Sequence, residues 1–121
     1  MEIKKIDRAF SVCQVKDLSQ INFDCEYCFL GKTDEECSLV CPTENVPEQV
    51  LQREDHWRAF RIQGVLDFSL IGILARISTL LAENQISLFA LSTYNTDYIL
   101  TKSEHFDKAL ALLADAGYTV V

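Results

Sequence analysis

Four of the five cysteines fall at Cys25-x2-Cys28 and Cys37-x3-Cys41, a spacing close to that of a thiolate zinc site. Whether such thiols converge depends on the elements that carry them. Residues 23–30 and 38–41 read as two strands of a hairpin around the charged turn Gly31-Lys32-Thr33-Asp34-Glu35-Glu36. Residues 25 and 28 lie an odd number apart, so a regular strand turns their side chains to opposite faces. Cys37 and Cys41 share a face, which leaves only half a ligand set together. The expectation is therefore no metal, with the cysteines acting as small buried hydrophobes.

Catalysis finds no clear carrier. A cysteine nucleophile needs a basic partner, and no motif ties His56 or His105 to a thiol. The chain contains no glycine-rich phosphate loop, no Gly-x-Ser-x-Gly elbow and no His-Glu-x-x-His. A protein that is not an enzyme, with no cofactor, is expected.

A second group of polar residues is more suggestive. Gly64 to Gly72 leaves a strand and enters a helix, and a helix start presents backbone N–H groups that can hold a carboxylate. Gly72 has no side chain, so it either admits a ligand or merely permits tight helix–sheet contact. On these residues alone the two readings stand level. Thr93 and Asp97, in the turn Ser92-Thr93-Tyr94-Asn95-Thr96-Asp97, offer a hydroxyl and a carboxylate to an ammonium group. Their plain alternative is turn stabilisation.

The elements that position these groups follow from periodicity. Leu70, Ile73, Leu74, Ile77, Leu80 and Leu81 recur at helical spacing, with Asp67 or Ser69 as N-cap and a stop near Asn84. Residues 86–91 and 98–101 read as strands around the polar turn. A second helix is capped by Ser103, buries Phe106, Ala109, Leu110 and Leu113, and ends at Gly117. Strands at 57–66 and 118–121 complete the order strand, helix, strand, strand, helix, strand. That order predicts a four-stranded antiparallel sheet with both helices on one face. The first half, with a strand at 7–16 and the cysteine hairpin, is strand-rich, and 42–55 reads as a connection with at most one helical turn.

At 121 residues the chain has the length of one domain or of two very small modules. Half of its residues are apolar and its formal net charge is -7. That balance repels a phosphate polymer, and Lys4, Lys5 and Arg8 are too few to reverse it, so no nucleic-acid role is expected. The start of the chain lacks the apolar core of a signal peptide, and the most apolar stretch is broken by Arg76. No membrane span is expected. An odd number of cysteines fits a reducing, cytoplasmic setting.

The run Gly72-Ile73-Leu74, then Leu80-Leu81-Ala82-Glu83 and Ile86-Ser87, then residues 92–100, resembles the ACT domain, a small regulatory module that binds amino acids. The 92–100 segment is similar to one branch of that family. This branch holds small bacterial ACT proteins and the animal cytosolic arginine sensors of the CASTOR type. The resemblance implies an α+β fold of tandem ACT-like, ferredoxin-like βαββαβ modules. Residues 1–55 would be a degenerate, strand-rich module and 56–121 a complete one. It also implies an amino acid held at an ACT–ACT interface, and a homodimer that regulates an unidentified protein partner. Carried over by motif, Phe68, Ser69, Leu70, Ile71, Gly72 and Ile73 form one side of the site, and Thr93, Tyr94 and Asp97 the other. Leu70 stands where the arginine sensors place a carboxylate, which points away from arginine. Gln85 replaces a glycine before the second strand, with Asn84 expected to take over the helix stop. The alternative is a structural or protein-interaction module without a ligand.

Overall fold

The computed structural model describes residues 1–63 and 72–121. In chain order these form β1 (Glu2–Val15), β2 (Phe29–Lys32), β3 (Cys37–Pro42), a 3-10 turn at Thr43–Asn45, β4 (Gln52–Ile62), α1 (Ile73–Glu83), β5 (Leu88–Ser92), β6 (Asp97–Lys102), α2 (Ser103–Asp115) and β7 (Thr119–Val120). The chain divides into two compact units, one of Met1–Asp7 with Arg58–Val121, the other of Arg8–Trp57. β1 and β4 each contribute residues to both.

In the unit of Arg58–Val121 the helices behave as their periodicity requires. α1 buries Ile73, Ile77 and Leu81, and α2 buries Phe106, Ala109 and Leu113. Both stripes join Phe60, Ile62 and Ile99 from the strands in one apolar core. The sheet differs from the expected four antiparallel strands. The first residues of β1 lie between β7 and β4, in the order β7-β1-β4-β6-β5, and β1 pairs with β7 in parallel. Ile3 and Ile6 bring apolar side chains into the interior, whereas the exposed Lys4 and Lys5 disguise this strand in the sequence as a solvated terminus. The insertion is bonded on both sides, with Thr119 N–H to Met1 O at 3.0 Å and Gln63 N–H to Glu2 O at 2.9 Å.

Helix ends also depart from expectation. α1 begins at Ile73 with Gly72 as N-cap, not Asp67 or Ser69, and α2 is preceded by Lys102 as N-cap, not Ser103. At the far end of α1, Asn84 has φ -108°, and Gln85 takes the left-handed conformation at φ 63°. Gln85 N–H bonds Ala82 O at 3.1 Å and Ile86 N–H bonds Leu81 O at 2.9 Å. α2 ends with the same pair of bonds, Gly117 to Ala114 and Tyr118 to Leu113, but with glycine at the left-handed position, φ 103°. Both are Schellman stops. Gln85→Gly is therefore expected to stabilise the protein by about 1 kcal/mol, since a side chain at positive φ costs roughly that much. Urea unfolding, reading the midpoint at constant slope, measures it.

In the unit of Arg8–Trp57, β3 pairs antiparallel with both β1 and β2. Here the expected strand at 23–30 is corrected, because residues 23–27 are turn and bend, and β2 starts only at Phe29. Asn22 organises the turn: its side-chain oxygen accepts Asp24 N–H at 3.0 Å, and its carbonyl accepts Cys25 N–H at 3.4 Å. The parity argument that separated Cys25 from Cys28 therefore does not apply. Cys13, Cys37 and Cys41 do lie in an apolar cluster with Val15, Ile21 and Leu39.

Buried Ser11 carries the main polar network of this unit. Its hydroxyl donates to Asp55 Oδ1 at 2.5 Å and lies 2.9 Å from Thr43 Oγ1, while Arg53 NH2 reaches the same Asp55 oxygen at 2.9 Å. The Ser11 bond first, and the Arg53 bond second, hold the Asp55 carboxyl below its ordinary range. A carboxyl with a depressed folded pKa stabilises above its unfolded value, and that contribution disappears as pH falls through the folded one. Stability should therefore drop on acidification below the ordinary aspartate range. Ser11→Ala should flatten that slope relative to the parent, as checked by unfolding midpoints across acidic pH.

Candidate functional site

Of the residues expected to line a ligand, Phe68, Ser69, Leu70 and Ile71 lie outside the described residues. The remainder lie at the entry to α1 and in the turn between β5 and β6. Gly72 precedes α1 at φ 82°, and its carbonyl accepts the Arg76 N–H at 2.9 Å. A Cβ built on Gly72 would meet only Arg76 NH1, at the ordinary distance of 3.5 Å. Backbone conformation, rather than crowding by described neighbours, is thus what requires glycine. No side-chain hydrogen bond caps α1 among the described residues. Ile73 turns its side chain into the apolar core.

The polar turn is built by threonine. Thr93 N–H donates to Thr96 O at 2.8 Å, its hydroxyl lies 3.1 Å from the same carbonyl, and Thr96 N–H reaches that hydroxyl at 3.3 Å. Ser92 donates its hydroxyl to Asp97 Oδ1 at 2.6 Å. Tyr94 projects into solvent, 86% exposed. The turn between β2 and β3 repeats the design: Thr33 N–H bonds Glu36 O at 2.8 Å, Glu36 N–H bonds the Thr33 hydroxyl at 3.1 Å, and Ser38 donates to Glu36. Thr93 and Asp97 therefore stabilise their turn, as their plain reading holds.

The residue that sequence reasoning missed is Thr96. It is buried, and its hydroxyl donates to Ile62 O at 2.7 Å. This bond fastens the 93–97 turn to the end of β4, two residues before the chain enters residues 64–71 and re-emerges at Gly72. A threonine in a polar turn carries no signal of such a bond, which spans 34 positions of sequence. Arg61, also on β4, holds the Tyr98 hydroxyl at 3.0 Å and so sets a cation beside β6 just after Asp97.

Among the described residues, no three His, Cys, Asp or Glu side chains are grouped so as to hold a metal ion. No helix among them is long and apolar enough to cross a membrane.

A sheet carrying two helices, with a polar hairpin turn between β5 and β6 and a glycine at the entry to α1, matches a known regulatory class. The sequence model described as "ACT domain" matches residues 52–115, more than half of the chain, and the chain belongs to that family. Solved structures agree in fold. A protein from Agrobacterium tumefaciens aligns with TM-score 0.87 at 25% identity, covering 99% of this chain and 91% of its own. The regulatory subunit of aspartate kinase from Thermus thermophilus aligns with TM-score 0.69 at 9% identity, covering 97% of each chain. Aspartate kinase from Clostridium acetobutylicum, an allosteric enzyme, aligns with TM-score 0.67 at 13% identity over 94% of this chain and 33% of its own. The two kinases establish likeness of fold alone. No curated protein matches the chain significantly.

Proposed function

We propose that this protein is a regulatory, non-catalytic module that binds an amino acid where ACT modules meet in a homodimer. The observation that carries the reading is the Thr96–Ile62 bond, which fastens the 93–97 turn to the end of β4. All nine residues expected to line the ligand also lie within the matched family region, 52–115. In this reading the N–H groups that open α1 hold the carboxylate. Asp97 and Thr93 receive the ammonium through a charge-assisted bond. Phe68, Ser69, Leu70 and Ile71 complete the loop side, and an apolar Leu70 favours a neutral side chain over a cationic one.

The same proposal takes residues 1–55 and 56–121 as related ACT-like modules of the CASTOR-type branch, an idea supported by the repeated threonine turn. Dimerisation through an edge strand is supported by β5, which lies at one end of the strand order beside β6. The cysteine usage supports a cytoplasmic setting.

A second reading, a structural module with a vestigial pocket, is favoured by one observation: the Thr93 hydroxyl and an Asp97 oxygen already serve the turn. A thermal-shift screen across the amino acids separates the two. A ligand at a hundred times its Kd adds about 2.7 kcal/mol to folded stability, which a melting curve resolves easily. A flat response to every amino acid supports the structural module.

A further inference from the structure

A cavity of about 430 Å³ lies at the end of β1, inside the unit of Arg8–Trp57. That volume falls within the range of about 300–1,000 Å³ typical of small-molecule sites, at the end that suits a molecule of amino-acid size. Two segments line it: Lys16, Asp17, Ser19 and Gln20, which follow β1, and Gln49, Val50 and Leu51, which precede β4. Leu51 N–H donates to Gln14 O at 2.7 Å and ties the second segment to β1. Gln20 Nε2 donates to Gln49 Oε1 at 3.3 Å and joins the two segments.

The lining combines an apolar side with a pair of opposite charges. Val15, also in the lining, is buried in the apolar cluster of Cys13, Ile21 and Leu39, and Val50 packs against that cluster. Leu51, by contrast, is 58% exposed, so an apolar side chain at the cavity is left to solvent. Lys16 and Asp17 bring a cation and an anion on consecutive residues. Ser19 sets the carboxylate in place, its N–H and its hydroxyl donating to Asp17 Oδ1 at 2.9 Å and 2.6 Å. These bonds, the hydroxyl's first, hold the Asp17 carboxyl below the ordinary aspartate range and keep it ionised at neutral pH. The Gln20–Gln49 bond uses one amide donor and one acceptor lone pair, and each amide has further capacity to meet a polar ligand.

We infer that this cavity is a small-molecule site in its own right, one that takes a small zwitterion with an uncharged body. The ligand's carboxylate faces the Lys16 ammonium, and its ammonium donates to the Asp17 carboxylate in a charge-assisted hydrogen bond. Its body lies on Val50 and Leu51. The choice of a zwitterion follows from the paired charges. A simple anion gains from Lys16 but is repelled by Asp17, and a simple cation meets the reverse, whereas a zwitterion satisfies both. The site is independent of the one proposed around Gly72, Thr93 and Asp97, all of which belong to the other unit.

The test is an NMR titration of the full, isotope-labelled chain with L-alanine, L-leucine and L-glutamine, and with acetate and ethylammonium as single-charge controls. The side-chain amide signals of Gln20 and Gln49 and the methyl signals of Val50 and Leu51 should shift saturably with at least one amino acid and with neither control. Lys16→Ala and Asp17→Asn should each lower the affinity about tenfold, the worth of one charge-assisted hydrogen bond. Both residues are exposed, so the fold persists, and asparagine still offers Ser19 an oxygen. Backbone signals of residues 93–97 report the other proposed site separately. Saturable shifts at Gln20 and Gln49 with none at 93–97 support this inference even where the other reading fails. Shifts confined to 93–97 overturn it and leave the other standing. No shift at Gln20 and Gln49 with any of the three amino acids, equal shifts with acetate, or parent-like affinity of both variants overturns it as well.

Discussion

Phe106→Ala is expected to destabilise the protein by about 3–5 kcal/mol, the usual cost of emptying a fully buried aromatic site. Phe106 is 1% exposed and is the first residue of the buried stripe of α2. Its ring lies 6.4 Å from that of Phe60 on β4, and the Arg58 guanidinium stands 4.6 Å from its centroid. Truncation removes apolar burial, a ring–ring contact and the support of a half-buried cation at once. Phe106→Leu separates these terms, because it keeps most of the volume and loses only the ring; its cost should be less than half as large. Denaturant unfolding with an unchanged slope reads both, and equal losses for the two variants would show that the ring interactions, not the cavity, dominate.

Asp97→Ala should weaken binding at the proposed amino-acid site by well over tenfold, since removing one partner of a desolvated charged contact costs about 2–5 kcal/mol. The carboxylate also accepts the Ser92 hydroxyl, so some fold stability, on the order of 1 kcal/mol, goes with it. Asp97→Asn distinguishes the roles. It keeps an oxygen for Ser92 and removes the charge, so the turn should persist while the ammonium loses its partner. Calorimetry with the strongest ligand of the thermal screen is the measurement, and parent-like binding by both variants would place the ligand elsewhere. Gly72→Val is a poor probe of the same site. At φ 82° a β-branched residue strains the entry to α1, and lost binding could not be separated from a damaged helix.

The parts legible in the sequence were those governed by near neighbours along the chain. Two helices announced themselves through Ile73, Ile77 and Leu81 and through Phe106, Ala109 and Leu113, because a 3.6-residue repeat needs no knowledge of what it packs on. The β5–β6 hairpin was equally visible from its polar turn between apolar runs. Beyond that range the local pattern misled. Ile3 and Ile6 flank two exposed lysines, yet both are buried on β1, whose Glu2 and Ile3 pair with β7 at the other end of the chain. Gln85, not Asn84, takes the left-handed stop, since the position is set by where Ile86 must enter the core. Residues 23–27, which read as strand, form instead a turn organised by Asn22. For the proposed site, sequence supplied the identities of Gly72, Thr93 and Asp97, whereas the anchoring of the 93–97 turn to β4 came from the Thr96–Ile62 bond. Helical periodicity and turn chemistry are written within a few residues; strand neighbours, left-handed stops and side-chain encounters are chosen by the energy of burying surfaces that lie far apart in sequence.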